Sequence, residues 1–153
     1  MKSQNKIVII SGQQEKFLRE QRGILFEYYT QVSEPRKDAH ILGNLQVWIY
    51  GDDRNGFTPH CHIMTADRET EFEVSLIDWS VISVKSQLPP TRKMKNAFVE
   101  WLEAKSNRFP EITNKVVLYR LWDGDNPNNL LADFCKEHNI TPEDKDLLKH
   151  IED

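Results

Sequence analysis

From residue 45 to 76 apolar and polar positions alternate, and β-branched and aromatic residues are separated by clusters rich in Asp, Asn and Gly. The pattern predicts a meander. Its first strand runs from Leu45 to Tyr50, with a turn at Asp52-Asp53-Arg54-Asn55-Gly56. The second runs from His60 to Thr65, with a turn at Asp67-Arg68-Glu69, and the third from Thr70 to Leu76. Trp79 to Lys85 adds a fourth strand, ended by Leu88-Pro89-Pro90 because proline offers no N–H to a ladder and biases its predecessor. Segregation of apolar side chains sets the register. Cys61 and Ile63 share a face with Phe72, Val74 and Leu76 only if paired residue numbers add to an odd value. A total of 135 places Glu73 directly opposite His62, and 137 places it one diagonal away.

Around the meander the period changes to that of helices. Ser11-Gly12-Gln13-Gln14 is a capping box, and Phe17, Leu18, Ile24, Leu25, Tyr28, Tyr29 and Val32 follow on one helical face. Gly23 interrupts this run, and Ile24 to Tyr29 also suits a strand. Thr91 caps a helix reaching Lys105, with Met94, Ala97, Phe98, Trp101 and Leu102 in one stripe and Lys93, Lys95, Glu100 and Glu103 outside it. Val116 to Trp122 reads as a further strand closed by Asp123-Gly124-Asp125-Asn126-Pro127. Two short helices finish the chain. One carries Leu130, Leu131, Phe134 and Cys135; the other has Thr141 as cap, Pro142 at its first position, Asp144 completing the box, and Leu147, Leu148 and Ile151 as its apolar side. Together these elements predict one α+β domain over residues 1–153: a mostly antiparallel sheet packed by helices on one face, with the helix from Thr91 to Lys105 as its cover.

Composition narrows the function. With 153 residues, 39% hydrophobic and 29% charged, the chain suits a single globular core and excludes general disorder. The net charge of −4 lacks the global positive field of a dedicated DNA binder, and residues 123–153 carry nine acidic against three basic side chains, which repel phosphate. The early apolar run, Ile7 to Ile10, is shorter than the core of a signal peptide, and no stretch approaches the roughly 20 apolar residues that cross a bilayer. A cytoplasmic protein with reduced Cys61 and Cys135 and no membrane partner is the expectation. Nucleotide-binding glycine motifs, zincin motifs and nucleophile elbows are missing, and Pro127 spoils a calcium loop at Asp123-x-Asp125.

One constellation carries chemistry. His60 and His62 stand at i and i+2, so on a strand both imidazoles leave the same face, about 7 Å apart at Cβ. With Glu73 from the neighbouring strand they form a possible open ligand set for one divalent transition metal. An H-x-H pair beside an acid also arises on the polar face of an ordinary half-buried strand, and the spacing alone favours that plainer account. Cys61, by alternation, points into the apolar face as a small buried hydrophobe. Lys85, Arg92, Lys93 and Lys95 cluster near the start of the Thr91 helix as a candidate contact for RNA or phosphate, although a solvated helix face explains them more simply.

Pro59-His60-Cys61-His62-Ile63, the return strand Glu71-Phe72-Glu73-Val74, the Leu88-Pro89 step and the helix bearing Trp101 together resemble the bacterial domain-of-unknown-function family forty-one-sixty. The likeness covers about residues 45–105, with Thr58 where a second proline is common and Cys61 where valine is common, and leaves a helical extension over about 128–153. It implies a small α+β domain with a loose toxin–antitoxin association and no established activity. The first functional expectation is therefore a non-catalytic cytoplasmic binding or regulatory module acting through a protein partner. The second is a metal-assisted hydrolase or nuclease with His60 and His62 as ligands and Glu73 as third ligand or general base. The third is an RNA-binding domain using the Lys85 to Lys95 cluster; nucleic acid is not favoured.

Overall fold

The computed structural model describes residues 29–33, 41–51 and 57–152. Among the described residues, five strands form one antiparallel sheet in chain order: β1 (Tyr29–Gln31), β2 (Leu45–Tyr50), β3 (His60–Thr65), β4 (Glu71–Ser75) and β5 (Val81–Val84). Four helices follow: α1 (Arg92–Glu103), α2 (Asn114–Asp125), α3 (Leu131–Glu137) and α4 (Lys145–Glu152). The α+β class and the meander are as expected. The register is the one with Glu73 opposite His62, and Cys61 faces Val74 while Ile63 faces Phe72. The helix expected before the meander lies largely outside the described residues, as does the turn at 52–56. Where that helical period reached Tyr29, the chain is instead extended, because Tyr29–Gln31 completes its backbone hydrogen bonding on β2.

The tight connections explain the meander. The Thr65 N–H donates to the Thr70 carbonyl and the Thr70 N–H to the Thr65 hydroxyl around Asp67, whose carboxylate accepts from the Thr65 hydroxyl at 2.6 Å and the Glu69 N–H at 3.0 Å. Between β4 and β5, Trp79 adopts φ +62°, a strained value for an aromatic residue. Its ring is anchored against Phe98 and Tyr119, with centroids 6.1 and 5.9 Å away, and that packing offsets the local cost.

One correction concerns residues 116–122, which form the middle of α2 rather than a strand. Read with period two, the segment mixes Arg120 into its apolar positions. Read with helical period, Lys115, Leu118, Tyr119 and Trp122 fall on one face, and all four are buried. Thr113 caps this helix by accepting from the Val116 N–H. The helix continues through Asp123 and Asp125, so the expected turn begins only at Asn126. It is also α2, not α1, that makes the principal helix contact with the sheet, at β2. α1 packs on α2, and Phe98, Trp101 and Leu102 complete a core shared with Val47, Ile49, Ile63, Phe72 and Leu76. α1 itself begins as expected, with the Thr91 hydroxyl accepting from the Met94 N–H at 3.1 Å.

A second correction concerns α4. Its cap is Asp144, which accepts from the N–H groups of Asp146 and Leu147; Thr141 and Pro142 precede the helix. The same carboxylate reaches the Lys115 ammonium at 2.7 Å, which fixes where the helix begins. Despite its acidity the C-terminal segment packs on the core, through buried Leu131, Phe134, Cys135 and Leu147. No described helix is long and apolar enough to cross a membrane.

Candidate metal centre

Strand β3 departs from a half-buried strand: all six of its residues are buried. Cys61 and Ile63 enter the main core, while His60, His62 and Met64 leave the other face, where Trp48 and Met64 form a second apolar cluster with Tyr50. The two imidazoles therefore sit against hydrophobic walls, at 6% and 8% exposure, and not on a solvated sheet surface. The Tyr50 ring stacks on His62 with centroids 4.2 Å apart and planes 16° from parallel. Trp122, from the last turn of α2, stands 5.5 Å from the His60 ring.

The antiparallel register brings Glu73 between the histidines. Its Oε2 lies 3.5 Å from His62 Nε2 and 3.9 Å from His60 Nε2. One donor atom from each of the three residues lies within 4.8 Å of the others. The far sides of both rings face acceptors. His60 Nδ1 donates to the Thr58 carbonyl at 2.8 Å, which leaves Nε2 as a lone pair in the neutral ring. His62 Nδ1 is buried without a hydrogen-bond partner among the described residues, and the Glu71 carboxylate is the acid facing it at 3.8 Å. The approach of that nitrogen holds the Glu71 carboxyl below the ordinary glutamate range, against the effect of its partial burial.

These separations bear on two accounts. A charge-assisted N–H to carboxylate bond closes to about 2.7–2.9 Å. Two ligands of one tetrahedral ion, with bonds of about 2.0–2.1 Å, stand about 3.3 Å apart. The observed 3.5 and 3.9 Å are longer than the first requires, and each is nearer to the second spacing than to the first. An imidazole lone pair facing a carboxylate oxygen is also repulsive unless a proton or cation lies between them. The group thus has the donors and the spacing of a metal site, with the outward hydrogen bond that orients a ligating histidine in place behind His60 and an acid 3.8 Å from the outer nitrogen of His62.

The basic cluster divides. Lys85, just beyond β5, extends its ammonium to within 3.4 Å of Glu73 Oε2, while Arg92, Lys93 and Lys95 are exposed on the first turns of α1. Cys61 is fully buried, and desolvation pushes its thiol far above the ordinary range, as the apolar reading of alternation requires. His138 bonds the Phe134 carbonyl at the end of its own helix, α3, and His150 meets Asp123 at 2.7 Å, which ties α4 to α2.

Tyr50, Thr58, Glu71 and Trp122 escaped the sequence reading as parts of the site. Tyr50 and Glu71 were accessible in principle, since strand parity places both on the histidine face. Trp122 was hidden by the assignment of its segment to a strand. Comparison of the chain with protein-family models, with curated proteins and with solved structures finds no match.

Proposed function

We propose that the protein is a divalent transition-metal protein of the water-activating, hydrolytic class, with His60, His62 and Glu73 as the ligands. The observation that carries this reading is the convergence of two imidazole Nε2 atoms and one carboxylate oxygen, with Thr58 and Glu71 behind the rings. Two histidines and one carboxylate form a ligand set that leaves a coordination position open. A zinc ion held there supplies Lewis acidity and lowers the pKa of a coordinated water to about 7. The chain's own residues hold and orient the set, Tyr50 and Trp122 wall it off with aromatic surface, and Glu73 serves as third ligand.

Titration of chelator-treated protein with zinc tests the reading. The wild type is expected to take up one ion per chain, and the combined His60→Ala and His62→Ala variant to lose stoichiometric uptake while its circular dichroism stays folded. Equal uptake by both proteins, or none by the wild type, ends the proposal.

The partner-binding module is the second reading. The observation favouring it is β5, a short strand whose Ile82 and Val84 are each 44% exposed and with no described strand on its outer edge. Family forty-one-sixty membership stands beside it as a proposal resting on the residue pattern alone.

A further inference from the structure

Lys85 is 45% exposed at its side chain, yet its Nζ stands 3.4 Å from Glu73 Oε2, the oxygen that also faces both histidines. Antiparallel pairing explains the reach. Ser83 lies opposite Glu73, and the Lys85 N–H donates to the Glu71 carbonyl, so the Lys85 side chain projects on the histidine face beside the acid. The carboxylate is only 15% exposed and faces the Nε2 atoms of both imidazoles, so the ammonium supplies a positive charge beside a largely buried carboxylate.

A divalent ion held by His60, His62 and Glu73 would change this balance. The ion and Lys85 together carry three positive charges, against one negative charge each on Glu73 and Glu71. The site becomes net positive, and the ammonium is repelled from the carboxylate it shared. Its exposure lets it move outward without breaking the core. Two neighbouring cations, one with an open coordination position and one with three N–H donors, attract an anion whose oxygens can reach both.

Resting on the metal reading, we infer that the loaded site takes an oxyanion, of phosphate or carboxylate class, held between the metal and the Lys85 ammonium. Lys85 thus acts as a binding residue for the ligand and as a counter-ion of the empty site, and a metal ligand it is not.

Calorimetry on the 153-residue chain tests this with two probes, inorganic phosphate and acetate, on zinc-loaded and zinc-free protein. The expected result is anion binding by the zinc-loaded wild type that weakens about tenfold or more in Lys85→Met, the scale set by loss of one charged hydrogen bond. Zinc affinity in Lys85→Met stays equal or rises, because a competing cation is gone, and Lys85→Arg recovers part of the anion affinity. Preference for phosphate or for acetate assigns the class. Anion affinity that is the same in wild type and Lys85→Met, or the same with and without zinc, overturns the inference and leaves the metal site standing. Failure of the wild type to take up zinc overturns both.

Discussion

Glu71 shows how much a single side chain can decide at this site. It is no ligand, yet its carboxylate lies 3.8 Å from His62 Nδ1, the nitrogen left without a hydrogen-bond partner among the described residues. Closing that gap fixes the ring and raises the basicity of Nε2, as a carboxylate behind a ligating histidine does. Glu71→Gln removes the charge and keeps the shape. It is expected to weaken zinc binding about 10- to 100-fold without changing its stoichiometry, measured by competition with a chromophoric chelator. An unchanged affinity would show that Glu71 does not orient His62. Thr58 performs the same task for His60 through a backbone carbonyl, which no substitution deletes.

Among the elements, α2 organises the helical layer. Its buried Lys115 bridges Glu103 at the end of α1 and Asp144 at the start of α4, each at 2.7 Å. Asp144 therefore has two duties, as acceptor for the first N–H groups of α4 and as partner of a buried ammonium. Asp144→Ala removes a cap worth about 1 kcal/mol and leaves Lys115 with one largely exposed carboxylate. The combined loss is expected to be about 2–4 kcal/mol, read from urea denaturation. A loss below about 1 kcal/mol would mean that Lys115 re-pairs or reaches water. The missed helix has the same origin. Val116, Val117 and Tyr119 carry strand propensity, and the contacts that override it come from residues distant in sequence: the sheet, Glu103 and Asp144.

For the whole molecule, the clasp links stability to pH. Burial opposes the charge on Asp144, but the Lys115 ammonium and two backbone N–H groups outweigh it and hold the carboxyl below its ordinary 3.8. A folded value below the unfolded one means that the unfolded chain binds more protons in acid, so this contribution is present above pH 3.8 and is lost as pH falls through the depressed value. Lys115 works in the opposite sense. Burial lowers it, the two carboxylates more than compensate, and its contribution is present below 10.5 and lost as pH rises through the elevated value. The melting temperature of the wild type is expected to fall at both extremes. Asp144→Asn should flatten the acid limb, and an unaltered acid limb would dissociate the clasp from acid stability.

Alternation and turn chemistry along residues 45–85 were sufficient for the meander, for the parity of its register and for placing two imidazoles on the face of Glu73, because a strand's period of two allows few ways to bury one apolar face; the choice between the totals 135 and 137 came from the structure. The helix at Thr91 was legible for a similar local reason, a capping hydroxyl followed by an unbroken apolar stripe. Three things were decided only in three dimensions. Burial of the histidine face depends on Trp48, Tyr50 and Trp122, which are remote in the chain. The helical state of residues 114–125 depends on the partners that solvate its lysine and cover its aromatic residues. The ångström-scale spacing among Nε2, Nε2, Oε2 and Nζ depends on rotamers that packing selects, and a residue pattern carries the direction of a side chain but not the position of its last atom.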